Sequence, residues 1–241
     1  MRFKKALGIL RTKIRLLLMI GVLLAAAAGC QFAGEYLHSH YIREEVSETS
    51  GNISEKKTVV IDSGHGGKDP GKVGINGAQE KELNLQIAEK LKKYLEEHQI
   101  TVVMTRTKDE RLADSQVEDL KARVELIDKE SPALAVCIHQ NSYHEENVFG
   151  AQVFYYKTST EGEKAAAVIQ EALQEVNPEN TKKIKANDTY YLLKKTEVPT
   201  VIVECGFLSN YAEAEKLVSE DYQKKLAEAV TKGILQYLKD Q

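Results

Sequence analysis

Little in this chain serves for covalent stapling: three cysteines in 241 residues cannot form a disulfide framework. Cys30 closes an N-terminal apolar run, while Cys137 and Cys205 lie in strand-like runs where a free thiol packs as a small hydrophobe. A bond between those two is the one pairing the sequence leaves open. Proline is scarce, at four residues, and no long disordered tract is expected outside the N-terminal region. No internal repeat occurs, which excludes a repeat array. A basic excess is missing too. With the six basic residues before position 16 set aside, 27 Lys and Arg face 36 Asp and Glu, so no patch remains to neutralise nucleic-acid phosphates. What is present suits one folded domain of ordinary size: 42% hydrophobic and 29% charged residues, and enough length to bury a core without staples.

Acidic residues are also absent before Glu35, whereas Arg2, Lys4, Lys5, Arg11, Lys13 and Arg15 precede the run "LLLMIGVLLAAAAGC". That is the layout of an export signal over residues 1–30. The apolar stretch from Leu16 to Gly29 falls short of the roughly 20 residues that span a bilayer. Three fates are open: cleavage, lipidation of Cys30, or a retained membrane anchor. The residues before Cys30 resemble a lipoprotein cleavage box, with Ala27 where leucine is usual. Each fate exports the rest of the chain and confines membrane contact to this segment. Residues 31–57 are polar and without periodicity, and read as a linker in which His38 and His40 are solvated.

From Thr58 to Gln241 strand-like and helix-like runs alternate, the signature of a single α/β domain with a parallel or mixed sheet and helices on both faces. "TVVID", "ITVVMT", "ALAVCIH", "AQVFYY" and "TVIVE" are the expected strands. Leu83, Ile87, Leu91, Tyr94 and Leu95 recur at helical spacing over residues 80–97. Further helices are expected over residues 114–129 and 161–176. A last one, which Ser219 could cap, carries Tyr222, Leu226, Val230, Ile234, Tyr237 and Leu238 on one face.

Three of those strands end on chemistry. "TVVID" runs into "SGHGGKDPG" with His65, "ALAVCIH" ends on His139, and "TVIVE" ends on Glu204. Functional groups of open α/β sheets collect at the carboxyl ends of strands. Glu80, opening a helix in "QEKELNL", is a fourth candidate beside the His65 loop. Two imidazoles and a carboxylate form the ligand set of a catalytic zinc site, which leaves one position open. The glycines around His65 let the backbone turn sharply and keep bulk away. Taken singly, His139 reads as a core histidine and Glu80 as a first-turn acid favoured by the helix dipole. A phosphate-loop reading of "GHGGK" fails because Asp69 follows the lysine where Ser or Thr is needed. Glu204, after Val201-Ile202-Val203, is expected to be partly buried and in need of a partner.

In order and spacing, "VVIDSGHGGKDPG", "EKELNL", "CIHQNS" and "VPTVIVECGFLSN" resemble the motif set of the zinc-dependent N-acetylmuramoyl-L-alanine amidases, over Thr58 to Leu238. The resemblance implies zinc ligands at His65, Glu80 and His139, a catalytic glutamate at Glu204, and hydrolysis of the amide between N-acetylmuramic acid and L-alanine in peptidoglycan. Ser63 stands where the family usually has proline, and Gln140-Asn141-Ser142 replaces a commoner Ala-Asn-Ala; both bear on loop shape. "GAQVFYY" and "SEDYQKKLAEAVTKGILQYL" are similar to the spore-cortex branch, whose members act before muramic-δ-lactam forms and in some cases depend on an activating lipoprotein. Two rival readings are a zinc peptidase cutting within the stem peptide and a non-catalytic wall-binding zinc domain. Nearby groups have plainer expectations. His144 is a surface residue of a charged loop, Cys205 points away from Glu204, and Arg106 either faces the cleft or makes a surface ion pair. Lys90, Lys92 and Lys93 lie on solvated helix faces.

Overall fold

The computed structural model describes residues 57–241, together with Met19. Apart from Met19, the expected export segment and nearly all of the linker, with Cys30, His38 and His40, lie outside the described residues. Among those described, no helix is long and apolar enough to cross a membrane.

Six strands form one sheet in the order β2-β1-β3-β6-β4-β5. They are β1 (Thr58–Ser63), β2 (Thr101–Met104), β3 (Leu134–Asn141), β4 (Gln152–Tyr156), β5 (Lys185–Asn187) and β6 (Thr200–Phe207). All neighbouring pairs are parallel except β4 with β6, which is antiparallel. The helices are α1 (Glu80–Glu97), α2 (Gln116–Glu130), α3 (Thr160–Val176), α4 (Tyr191–Lys195), α5 (Tyr211–Leu217) and α6 (Glu220–Lys239).

Side-chain alternation along the central strands separates two cores. Val59, Ile61, Leu134, Val136, Ile138, Val201, Val203 and Cys205 face a large cluster shared with α1, α3 and α6. Val60, Ala135, Cys137 and Ile202 face a smaller one beneath α2 and α4. α1 forms because Leu83, Ile87, Leu91 and Leu95 fall at four-residue intervals and are all buried, each worth about 1.5–3 kcal/mol of transfer free energy. α3 and α6 approach so closely that a Cβ on Gly233 would sit 2.5 Å from the Ile169 Cα.

The structure departs from the sequence expectations in small respects. Ser219 occupies the N-cap position of α6, but its side chain makes no capping hydrogen bond. Ser115 and Ser159 do cap α2 and α3, accepting from Glu118 N and Gly162 N. Cys137 and Cys205 are free, and they face opposite sides of the sheet, which rules out the bond the sequence left open. The same alternation puts Asp62, His139 and Glu204 on the α2/α4 side. There, at the carboxyl ends of β1, β3 and β6, the smaller core stops short and a cavity opens.

Candidate metal centre

β1 delivers His65 two residues past its end, β3 carries His139, and β6 carries Glu204, which is the register partner of His139. The Gly66–Pro70 turn and the loop after it return the chain so that Glu80, the first residue of α1, points into the same space. His65 Nε2 lies 3.2 Å from Glu80 Oε2, and His139 Nδ1 lies 3.0 Å from Glu80 Oε1. One carboxylate thus sits between two imidazoles whose rings are nearly perpendicular, with centroids 5.1 Å apart.

Glu80 is 2% exposed and held from behind by two main-chain donors, Lys72 N at 2.8 Å and Gln140 N at 3.1 Å. Burial works to raise its pKa, but the two imidazoles more than reverse that and keep it far below the usual carboxylate range. Burial likewise opposes charge on His65, yet Glu80 on one ring nitrogen and Asp69 on the other raise its pKa to about 9. His139 is raised in the same way, Glu80 outweighing burial.

Could these residues hold a metal ion? One donor atom from each of His65, Glu80 and His139 lies within 4.8 Å of the others, the spread a small cation can bridge. Two nitrogens and a carboxylate oxygen are also the donor types zinc takes in catalytic sites. The surroundings are cut to admit them. A Cβ on Gly64 would lie 2.2 Å from His139 Cε1, and one on Gly71 would lie 2.6 Å from Glu80 Oε2 and 2.7 Å from His65 Cδ2. The donor set therefore fits zinc.

Glu204 stands apart from this trio. It is 8% exposed, its Oε2 has no hydrogen-bond partner among the described residues, and it lines the same cavity as the three donors. Burial pushes its pKa up; His139 pulls it back, Glu80 pushes again, and the result is about 7. A carboxylate so poised can take up and release a proton near neutral pH.

The sequence reading gave Asp69 no role at the centre. Asp69 Oδ2 accepts from His65 Nδ1 at 2.9 Å while its Oδ1 accepts from Gly71 N at 3.0 Å. This carboxylate–imidazole pair fixes the tautomer that leaves Nε2 facing Glu80; an acid four residues after a loop histidine was the signal available. Arg106 is neither in the cleft nor in a surface ion pair. It is 2% exposed and donates to the carbonyls of Ser63, Gly64 and Lys81 at 2.9, 3.1 and 2.7 Å. Gln140, at the motif departure, donates to Asn84 Oδ1, and Asn84 in turn donates to the Gly64 carbonyl, each at 3.1 Å. His144 is exposed beside Glu145, as expected.

Residues 59–236 match the family model described as N-acetylmuramoyl-L-alanine amidase. The germination-specific N-acetylmuramoyl-L-alanine amidase of Bacillus subtilis is 38% identical over 189 residues, covering 75% of this chain and 79% of that one. Among solved structures, the CwlD amidase of Clostridioides difficile, in complex with the GerS lipoprotein, superposes with a TM-score of 0.74 at 37% identity, over 77% of this chain and all of that one. The catalytic domain of CwlV from Bacillus (Paenibacillus) polymyxa gives 0.68 at 32% identity, over 76% and 98%. A match that runs from the second residue of β1 nearly to the end of α6, and takes in every side chain of the centre, makes this chain a member of the N-acetylmuramoyl-L-alanine amidase family.

Proposed function

We propose that the protein cleaves the amide between the lactyl group of N-acetylmuramic acid and the L-alanine of peptidoglycan stem peptides, with His65, Glu80 and His139 holding zinc and Glu204 carrying the proton. The observation behind this reading is the convergence of three metal-type donors within 4.8 Å, with a buried, unpartnered carboxylate on the same cavity. Bound zinc supplies Lewis-acid activation of a carbonyl and of water. The chain's own part is to position and to move protons. Glu204 Oε2 takes a proton from the water whose oxygen bonds to the carbonyl carbon, then delivers it to the alanine nitrogen as the carbon–nitrogen bond breaks. Glu80 stays ionised throughout.

The germination-specific relative supports a role in the spore cortex, on the path to muramic-δ-lactam, and the CwlD complex supports dependence on a lipoprotein partner. Action would be extracytoplasmic, at the wall or the outer membrane face, reached through the N-terminal segment.

The test is digestion of vegetative and cortex-type peptidoglycan by the purified protein with zinc, read by product mass. Intact stem peptides and bare glycan are expected; fragments cut within the stem would instead reveal a peptidase. Glu204→Ala is expected to keep its zinc and lose hydrolysis, whereas His65→Ala loses both. Normal zinc content in His65→Ala would overturn the ligand assignment.

A further inference from the structure

The cavity above the metal donors has a volume of about 560 Å³ and is not lined only by residues of the motifs. Its wall on the β5–α4 side is aromatic, with Tyr190 and Tyr191 lining the same cavity as Glu204. We propose that Tyr190 is a further catalytic residue, whose phenolic hydroxyl donates a hydrogen bond to the scissile carbonyl oxygen as that oxygen gains negative charge. The proposal rests on the amidase reading above.

Three observations carry it. The first is fixed placement. Asn187 Oδ1 accepts from Tyr190 N at 2.7 Å and from Thr189 N at 2.8 Å, and the Tyr190 carbonyl accepts from Lys194 N at 3.1 Å to open α4. Its ring leans on Phe154 of β4 with centroids 5.4 Å apart. Little freedom is left to be lost when substrate binds.

The second is a free donor. Tyr155 and Tyr237 place their hydroxyls on Glu163 and Glu161, but the Tyr190 hydroxyl makes no hydrogen bond among the described residues. Burial, and then the negative charges of Glu204 and Glu80, hold its pKa above the ordinary value, so it remains protonated at neutral pH. The third is that two cations on the cavity, Arg123 and Lys72, are poorly suited to the role. Arg123, also on the cavity, is taken up by Asp62, Asp119 and two carbonyls. Lys72 lines the rim, but on an exposed, flexible stem.

The step balances without an added reactant. Water oxygen bonds to the carbonyl carbon as Glu204 takes one of its protons, the carbonyl π pair moves onto its oxygen, and the Tyr190 O–H stabilises that oxygen while keeping its own proton. The pair returns as the carbon–nitrogen bond breaks and Glu204 protonates the nitrogen.

The test uses the full chain with zinc and a soluble muramyl-peptide fragment. Tyr190→Phe keeps the ring on Phe154, so zinc content and thermal midpoint should match wild type. Its kcat should fall about 10- to 100-fold, toward the range seen when an oxyanion donor is removed, with KM within about 2-fold. Calorimetry should show that a phosphinate analogue of the tetrahedral centre binds more weakly by a similar factor, while the cleaved stem peptide binds as before. Unchanged kcat and unchanged phosphinate affinity would overturn the proposal, as would a rise in KM alone. A wild-type protein that cuts the fragment at a bond other than the muramyl amide would instead overturn the amidase reading itself.

Discussion

Arg123 Nη2 donates to the main-chain carbonyl of His65 at 2.8 Å across 58 positions of sequence. His65 needs that grip, because its φ of +64° lies in the left-handed region that non-glycine residues rarely adopt. The same guanidinium donates to the Ser63 carbonyl at 2.9 Å and to Asp62 Oδ1 at 2.8 Å, and its Nε reaches Asp119 Oδ2 at 2.9 Å. With Arg106 on Ser63 and Gly64, two buried arginines hold three successive carbonyls of the loop that aims the imidazole.

Removing Arg123 leaves Asp62 and Asp119 buried without their cation, and breaking such a pair typically costs about 3–5 kcal/mol. Arg123→Met should lose stability of that order in urea unfolding. Arg106→Met orphans carbonyls but no paired carboxylate, so it should lose less. The reverse order would show that the carbonyl grip, not the ion pairing, holds the loop.

The same pair sets an acid limb. Burial alone would raise the Asp62 pKa; the charge of Arg123, helped by the Thr105 hydroxyl at 2.7 Å, reverses this and holds it below 3.8. The native state therefore binds fewer protons here than the unfolded chain. The stabilisation is fully present above the unfolded value near 3.8 and disappears as pH falls through the lower native one. Stability measured from pH 6 downward should fall more steeply for wild type than for Asp62→Asn. Parallel curves would mean that other carboxylates dominate the limb.

Gly64 lies under the His139 ring, and an added Cβ would meet Cε1 at 2.2 Å and Nε2 at 2.3 Å. The ring must turn away, carrying Nδ1 off Glu80. Gly64→Ala should therefore fold with its secondary structure intact by circular dichroism and yet hold much less zinc after dialysis. Gly77→Ala is the control: its φ of +83° imposes strain, but nothing lies within 4 Å of the new methyl. Zinc retained in both variants would show that the ring can be displaced without loss of the centre.

The sequence displayed these elements unevenly, for physical reasons. β1, β3, β6 and α1 were legible because their apolar periodicity is strong, and α1 spans the expected residues 80–97. The side chains His65, Glu80, His139 and Glu204 were legible because strand ends and a helix start are where such groups gather. β5, α4 and α5, at three, five and seven residues, are too short to show a period. Arg106 was misplaced because its buried partners are main-chain carbonyls, which leave no trace in a sequence. Arg123 and Tyr190 were hidden for a related cause: one sits on a helix read for its apolar positions, the other in an irregular turn.

Asp69 offers the sharpest test of how the centre is tuned. Its Oδ2 takes the proton of His65 Nδ1 at 2.9 Å, and Arg111 Nη2 stands 3.6 Å behind it. A carboxylate there makes the opposite ring nitrogen more basic and fixes the ring plane, and losing such a partner typically costs 10–100-fold in metal affinity. Asp69→Asn keeps the shape and can still accept from Gly71 N through its amide oxygen, but it removes the charge. In chelator competition, zinc affinity should fall by about 10-fold or more, while kcat at saturating zinc changes much less because no reacting atom is touched. An unchanged zinc affinity with a collapsed kcat would move Asp69 from support of His65 into the chemistry itself.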